Sequence, residues 1–208
     1  PHELSLLEKR FGIDRMLSLN RFFPGITAVT NDNFAGGRLA MEYLYRHGHR
    51  QIGLISRDLD FKDSIFDYRY RGVMDFAEHH PDLKILNYCI TIAPDIEASA
   101  EESTHLLLEA NSGLTAIFAF TDVIALGTLS ALQRQGIRVP DDISLLSFDN
   151  RDFSLLLNPP LTTIEEPTDR IVSEIVSQII SISQGNALPG RRILIEPRLI
   201  ERDSVKNA

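Results

Sequence analysis

The sequence has little of what marks several large classes of protein. Its 208 residues include a single cysteine, Cys89, which excludes a fold held together by disulfides. No apolar stretch reaches the ~20 residues that a transmembrane helix needs, and no signal peptide is visible. Lys and Arg total 21 against 29 Asp and Glu, a net charge of -8 without any basic run, so we expect no nucleic-acid binding by this chain itself. These absences favour a soluble protein of a reducing compartment, the cytoplasm, without a membrane partner.

The sequence motifs of common catalytic and cofactor sites are also missing. Gly36-Gly37 lacks the pattern of a phosphate-binding loop, and neither a P-loop nor a Gly-x-Ser-x-Gly motif occurs. His47 and His49 have no neighbouring cluster of Cys or carboxylate side chains, so we interpret them as a helix end rather than a metal site. No nucleophile is paired with a base. We therefore expect no catalytic residues, no metal and no cofactor, and hence not an enzyme.

What the sequence does contain is a regular alternation of strand and helix patterns. Short apolar runs predict buried strands, and helix-like segments that end at Gly or Pro separate them. The predicted strands are 51–56, 85–92, 115–120 and 143–148, and the predicted helices are 35–47, 70–80, 96–109 and 123–135. Short loops between such elements indicate an α/β fold in which helices cover both faces of a parallel sheet.

The two ends of the chain fit this alternation less well. They carry strand patterns at 16–20 and 26–29, an amphipathic helix at 168–183 and a strand at 192–200 interrupted by Pro197. These pieces predict a second, smaller lobe. The expected division is residues 1–30 plus 165–196 for the smaller lobe and residues 31–164 plus 197–208 for the larger one.

A carboxylate stands at the end of one predicted strand. The apolar run 143–148 is followed directly by Asp149. Ligands of open α/β sheets bind outside the carboxyl ends of the strands, so Asp149 is a candidate for holding a polar small molecule. The alternative is that Asp149-Asn150 forms a turn or caps the following segment.

Five segments of the chain, taken in order, point to a family. They are HGHRQIGLI at 47–55, YRYRGV at 68–73, TAIFAFTDVIALGTLSALQRQGIRVPDDISLLSFDN at 115–150, NPPLTTIEEP at 158–167 and PRLIERDS at 197–204. Together they resemble the effector-binding domain of the LacI/GalR family of bacterial transcriptional regulators. The resemblance implies a periplasmic-binding-protein-like fold, in which three crossover strands join two lobes and a small effector lies between them.

The resemblance also implies segments that this sequence does not contain. In the family, a helix-turn-helix, a hinge helix and the first part of the N-terminal lobe would precede residue 1. We therefore expect an incomplete N-terminal lobe with apolar surface that the absent segment would cover.

The resemblance assigns ligand contacts to particular positions. Asp149 matches an aspartate whose oxygens accept hydrogen bonds from sugar hydroxyls. Arg69 lies three residues before Gly72, where the family's arginine reaches the cleft. Arg71 is the competing candidate, and a solvated surface arginine is the alternative for both. Thr121 follows strand 115–120 where the family usually has Asn, so a hydroxyl replaces an amide and the usual ligand specificity is in doubt.

Three neighbouring features complete the candidate site. Asp122 is interpreted as the N-cap of helix 123–135 rather than as a ligand contact. Asn20 stands where the family often has an aspartate, and its amide would either bind the ligand or form a turn. In the loop 58–67, Phe61 and Phe66 would either line the cleft or pack inside the protein.

For function, the resemblance implies the ligand-sensing domain of a transcriptional regulator. A small effector, a sugar or related metabolite, would bind between the lobes and change how a homodimer presents DNA-binding heads supplied by the absent N-terminal segment. A transport binding protein of the same fold and an enzyme on an α/β scaffold are the alternatives. The helix 123–135 carries more apolar residues than one buried stripe needs, and we expect some of them to face a partner subunit: Ile124, Leu126, Leu129 and Leu132.

Overall fold

Strands and helices alternate along most of the chain in the computed structural model, which describes residues 2–57, 64–90, 95–111, 113–186 and 188–208. The strands are β1 (Leu17–Leu19), β2 (Thr27–Asn31), β3 (Gln51–Arg57), β4 (Lys84–Ile90), β5 (Ala116–Ala119), β6 (Ser144–Asp149), β7 (Thr162–Glu165), β8 (Arg192–Ile195) and β9 (Arg198–Ile200). The helices are α1 (His2–Phe11), α2 (Asn33–Arg46), α3 (Ile65–Glu78), α4 (Ile96–Ala110), α5 (Asp122–Arg134) and α6 (Thr168–Ser183). Two short 3-10 helices are η1 (Ile13–Arg15) and η2 (Asp152–Leu155).

The chain divides into two compact units. The smaller unit consists of Pro1–Asp32 and Pro167–Pro197, and the larger of Asn33–Glu166 and Arg198–Ala208. These boundaries differ by one or two residues from the division expected from the sequence. The segment expected as one strand broken by Pro197 is two strands, β8 and β9, and each belongs to a different unit.

The smaller unit holds a three-stranded parallel sheet in the order β1–β2–β8. Its core is small, with Val29, Ile171 and Ile195 buried. Only Ile171 of the predicted apolar face of α6 is fully buried, whereas Val176, Ile179 and Ile180 are about half exposed. An exposed apolar helix face of this kind can pack against another segment or a partner.

The larger unit holds a six-stranded sheet in the order β4–β3–β5–β6–β7–β9. All neighbouring pairs are parallel except the antiparallel pair of β7 and β9. Along the sheet, the connection from β3 to β4 runs in one direction, and the connection from β5 to β6 runs in the opposite direction. Because such crossovers are right-handed, α3 and α5 cover opposite faces. The order reverses between β3 and β5, and the carboxyl ends near such a reversal form the crevice where α/β proteins bind ligands.

Helix α3 differs from its prediction, since it begins at Ile65 and not at residue 70. The Ser64 hydroxyl accepts a hydrogen bond from the Asp67 amide at 3.1 Å and caps the first turn. Two glycines then bring α3 against α2, because a Cβ at Gly37 would collide with the Arg69 carbonyl and one at Gly72 with the Phe34 carbonyl. This close approach of α2 and α3 fixes the position of Arg69, which lies on α3.

Candidate functional site

Asp149 ends β6 in an unusual backbone conformation. Its φ is 108° and that of Asn150 is 57°, so two consecutive residues occupy the region that favours glycine. Asn and Asp tolerate this region better than other side chains, but such residues store strain and tend to occur at ligand sites. The Asp149 side chain is 16% exposed and lies at the carboxyl edge of the sheet, paired in register with Glu165 of β7.

Arg69 approaches this edge from α3 and is almost fully buried, with 1% of its surface exposed. Its guanidinium carbon lies 3.5 Å from the centre of the Phe148 ring. Nε donates to the Asn33 side-chain oxygen at 2.8 Å, and Nη1 donates to the Phe120 carbonyl. Nη2 lies 3.4 Å from Oδ1 of Asp149. The buried cation is therefore held by an aromatic face and three acceptors, one of which is the candidate ligand-binding carboxylate.

Burial raises the pKa of Asp149 to about 6, and the negative charges of Asp122 and Glu166 add to this increase. The positive charges of Arg69 and Arg151 act in the opposite direction. Burial also lowers the pKa of Arg69 to about 10, so the guanidinium remains protonated near neutral pH. The charges of Asp122 and Glu166 and those of Arg69 and Arg151 therefore act on the pKa of Asp149 in opposite directions.

Thr121, and not Asp122, is the residue that caps α5. The Thr121 hydroxyl accepts from the Ile124 amide at 3.2 Å, so Thr121 caps α5 and the prediction that Asp122 does so is wrong. Asp122 is fully buried instead. Its Oδ1 accepts from the hydroxyls of Ser147 at 2.6 Å and Thr163 at 3.0 Å, and its Oδ2 accepts from the Arg151 amide at 2.6 Å. Burial raises its pKa, and these hydrogen bonds oppose the increase.

Asn150 is held by two charged side chains. Its Nδ2 donates to Oε1 of Glu165 at 3.0 Å, and its Oδ1 accepts from Nη2 of Arg202 at 2.7 Å. Arg202 also donates through Nη1 to the Leu161 carbonyl at 2.7 Å and to the Ser154 hydroxyl at 3.2 Å. A single arginine near the end of the chain therefore connects the Asp149 turn to η2 and to the segment that leads into β7.

The structure separates the predicted site residues into two groups. Asp149, Arg69 and Thr121 belong to the larger unit, and the first two are in contact. Arg71 lies on the surface and pairs with Asp67 one turn earlier, at 2.6 Å, so the competing assignment to Arg71 is not supported. Asn20 belongs to the smaller unit, where it is exposed and has a φ of 58° typical of a turn.

Two further expectations concerned the aromatic residues of the predicted loop 58–67 and the apolar residues of α5. Phe66 is partly buried, with its ring centre 5.7 Å from the Arg69 guanidinium carbon, whereas Phe61 lies outside the described residues. On α5, Ile124, Leu129 and Leu132 are buried in the core of their own unit. These three therefore do not face a partner, and of the four candidates only Leu126, which is half-buried, remains.

Sequence reasoning missed several residues that the fold brings to this edge: Asn33, Phe120, Phe148 and Arg202. Phe120 contributes only its carbonyl, which no side-chain pattern can indicate. Arg202 stands in the segment 197–204 that contributed to the family resemblance, but nothing in that segment shows that its side chain reaches Asn150.

Two further properties concern only the described part of the chain. Within it, no group of three or more His, Cys, Asp or Glu side chains is arranged to hold a metal ion. Among the helices of these same residues, none is both long and apolar enough to cross a membrane.

A doubly wound sheet with a polar pair, here Arg69 and Asp149, at its carboxyl edge is typical of α/β domains that bind small molecules. Residues 41–205 match the family model described as a periplasmic binding protein-like domain. This chain belongs to that family, and specifically to the effector-binding domains of LacI/GalR-type regulators, as the sequence motifs predicted.

Individual relatives support the same assignment. The chain is 31% identical over 208 residues to the HTH-type transcriptional repressor CytR of Escherichia coli, an alignment that covers 99% of this chain and 60% of the repressor. It thus spans about 60% of that relative's length. A LacI family transcriptional regulator from Enterococcus faecium with bound ribose has a TM-score of 0.83 at 23% identity, covering 99% of this chain and 74% of that one. A dimeric Lac repressor has a TM-score of 0.81 at 26% identity, covering 92% and 69%.

Proposed function

We propose that this chain is the effector-sensing part of a bacterial transcriptional repressor that binds an uncharged, hydroxyl-rich small molecule. The observation that carries the proposal is the strained Asp149 at the carboxyl edge of β6, supported from behind by buried Arg69. The relatives that match most of the chain are repressors, which favours regulation over transport or catalysis.

The chemistry of the effector follows from the charges around Asp149. An ionised carboxylate accepts hydrogen bonds from two adjacent hydroxyls, as a sugar offers them. Asp122 and Glu166 raise the negative charge of the region, so a phosphate or carboxylate on the effector would be repelled there. The Thr121 hydroxyl has an O–H that can donate to the same ligand, and we retain Thr121 and Asn20 as proposed contacts. The ribose bound to the Enterococcus faecium structure is a ligand of the chemical type we expect.

The action on DNA requires a second segment. The net charge of -8 does not suit phosphate binding, and the repressors that the chain matches are longer than it is. We propose that an N-terminal helix-turn-helix makes the DNA contact and that the protein acts in the cytoplasm as a homodimer. Leu155 and Leu156, at the end of η2, are 58% and 82% exposed, and we assign this apolar surface to the subunit interface.

Ligand binding tests the proposal directly. We expect a neutral sugar or nucleoside from a panel that includes D-ribose to raise the melting temperature of the protein, because a ligand bound only by the folded state stabilises it. The phosphorylated counterpart of each hit should bind less tightly in isothermal titration calorimetry. Asp149→Ala should abolish binding of the hit. Arg71→Ala, on the exposed face of the same helix as Arg69, is the matched control and should leave binding unchanged.

Two results would contradict the proposal. A hit whose affinity is the same for the wild type and Asp149→Ala would remove Asp149 from the site. A preference for the phosphorylated compounds would show that the carboxylates do not determine which effector binds.

A further inference from the structure

The turn that follows Asp149 is held from two sides. Residues 149 and 150 both have positive φ values, and residues in such conformations persist only where the surrounding structure constrains them. The direction of the Asp149 carboxylate depends on this turn, because the side chain leaves the backbone at the strained residue itself. The groups that hold the turn therefore influence the site although they lie behind it.

The first of these groups is Asp122. Its carboxylate joins three segments: Ser147 within β6, Thr163 within β7 and the backbone amide of Arg151 just after the turn. The helix does not need this carboxylate, since Thr121 already caps α5. A fully buried acid is also unfavourable unless it is hydrogen-bonded, as its raised pKa reflects. Three hydrogen bonds satisfy this buried carboxylate, and the one from the Arg151 amide fixes the backbone just after the turn.

The second group is Arg202. It donates to the Asn150 side-chain oxygen at 2.7 Å, while the Asn150 amide donates to Glu165 at 3.0 Å. Both terminal atoms of the Asn150 side chain are thus occupied by charged partners, and hydrogen bonds to charged groups are stronger than those between neutral ones. Arg202 is itself held by the Leu161 carbonyl and the Ser154 hydroxyl.

We propose that Asp122 and Arg202 are positioning residues that clamp the Asn150-Arg151 turn and thereby fix the Asp149 carboxylate beside Arg69 for effector binding. The proposal rests on the proposed function, because it assigns a supporting role behind the same site. Asp122 acts on Asp149 in two ways: it holds the backbone through Arg151, and its charge opposes ionisation of Asp149. The two effects can be separated by substitution.

Asp122→Asn removes the charge and preserves the shape. Its amide oxygen can accept from the Arg151 amide, while its NH2 group can donate to the Ser147 and Thr163 hydroxyls, which accept as well as donate. We expect the pKa of Asp149, measured from its carboxyl 13C resonance in the unliganded protein, to fall from about 6 by about 0.5 unit or more. Asp142→Asn, at the opposite end of β6, is the matched control and should leave that pKa unchanged.

Asp122→Ala and Arg202→Gln test the clamp itself. Each should increase amide hydrogen exchange at Arg151 roughly tenfold, because one hydrogen bond that holds the turn is lost. Each should also move the Asp149 carboxyl resonance, and Arg202→Lys should restore the wild-type value in part. If Asp122→Ala does not fold, Arg202→Gln still tests the clamp, and Asp122→Asn still tests the effect of the Asp122 charge.

The proposal is overturned if folded Arg202→Gln retains the wild-type Asp149 resonance and Arg151 exchange and folded Asp122→Asn retains the wild-type Asp149 pKa. A purely structural role would lower the melting temperature without changing either quantity. Since these measurements need no effector, they distinguish failure of the clamp from failure of the proposed ligand-sensing function.

Discussion

Replacing Asp149 by Asn should stabilise the protein at neutral pH while removing the proposed effector contact. The pKa of Asp149 is about 6 in the folded state, against ~3.9 in an unfolded chain. The folded state therefore holds the proton more tightly, and ionisation of Asp149 destabilises the fold as the pH rises from about 4 through 6. Asn has no such penalty, and it tolerates the positive φ of 108° at this position.

The size of the effect follows from the difference of about two pKa units. At 1.36 kcal/mol per unit, the ionised carboxylate lowers the free energy of unfolding by roughly 2 to 3 kcal/mol above pH 6. The Asp149 side chain is mostly buried, so solvent screening reduces this figure only modestly. We expect the Asn variant to be more stable than the wild type by about 2 kcal/mol at pH 7.

Urea unfolding followed by circular dichroism, at intervals from pH 4 to pH 7.5, measures this difference. Other titrating groups affect both proteins equally and cancel when the two curves are subtracted. The advantage of Asp149→Asn should be largest near pH 7 and disappear toward pH 4. If the difference is independent of pH across this range, or if the wild type gains relative to the variant as the pH rises, the electrostatic reasoning about Asp149 is refuted.

Three other substitutions have defined outcomes. Arg69→Met keeps the side-chain volume but leaves the Asn33 side chain, the Phe120 carbonyl and Asp149 without their buried donor, and urea unfolding should show a loss of about 3 to 5 kcal/mol at pH 7. A loss below 1 kcal/mol would contradict the role of these contacts. Gly72→Ala should lower the free energy of unfolding by about 1 to 3 kcal/mol, because the added Cβ meets the Phe34 carbonyl where α2 and α3 touch. An unchanged melting temperature would be inconsistent with that packing. Leu156→Arg should shift sedimentation from dimer to monomer without a change in stability, because this side chain is 82% exposed; an intact dimer would exclude the Leu155-Leu156 surface.

Much of the larger unit could be predicted from its local sequence patterns. The four strands and four helices from residue 35 to residue 148 follow from apolar runs punctuated by Gly and Pro, and their order implies a parallel sheet. The start of α3 could not be predicted in the same way. Its first turn depends on the Ser64 cap, which competes with many equally plausible polar residues in the loop before it.

In the candidate site, too, some features follow from neighbouring residues in the sequence and others depend on residues that are distant in the chain. The place of Asp149 at the end of a buried strand is a local property of the sequence, and its importance could be inferred from the rule that ligands bind at such ends. The choice of Thr121 over Asp122 as the cap of α5 is not a local property. Both residues can cap a helix, and the choice depends on Ser147 and Thr163, which approach Asp122 only when β6 and β7 pair.

The sequence by itself thus determined the alternation of elements, the family and the strand that carries Asp149, because periodicity and turn chemistry act over a few neighbouring residues. Only the tertiary structure decided that Arg69 and not Arg71 meets Asp149, since packing at Gly37 and Gly72 turns one face of α3 inward. It also decided that Arg202 supports the turn. The long-range hydrogen bond from Arg202 to Asn150 joins residues that are distant in the chain, and no local pattern records it.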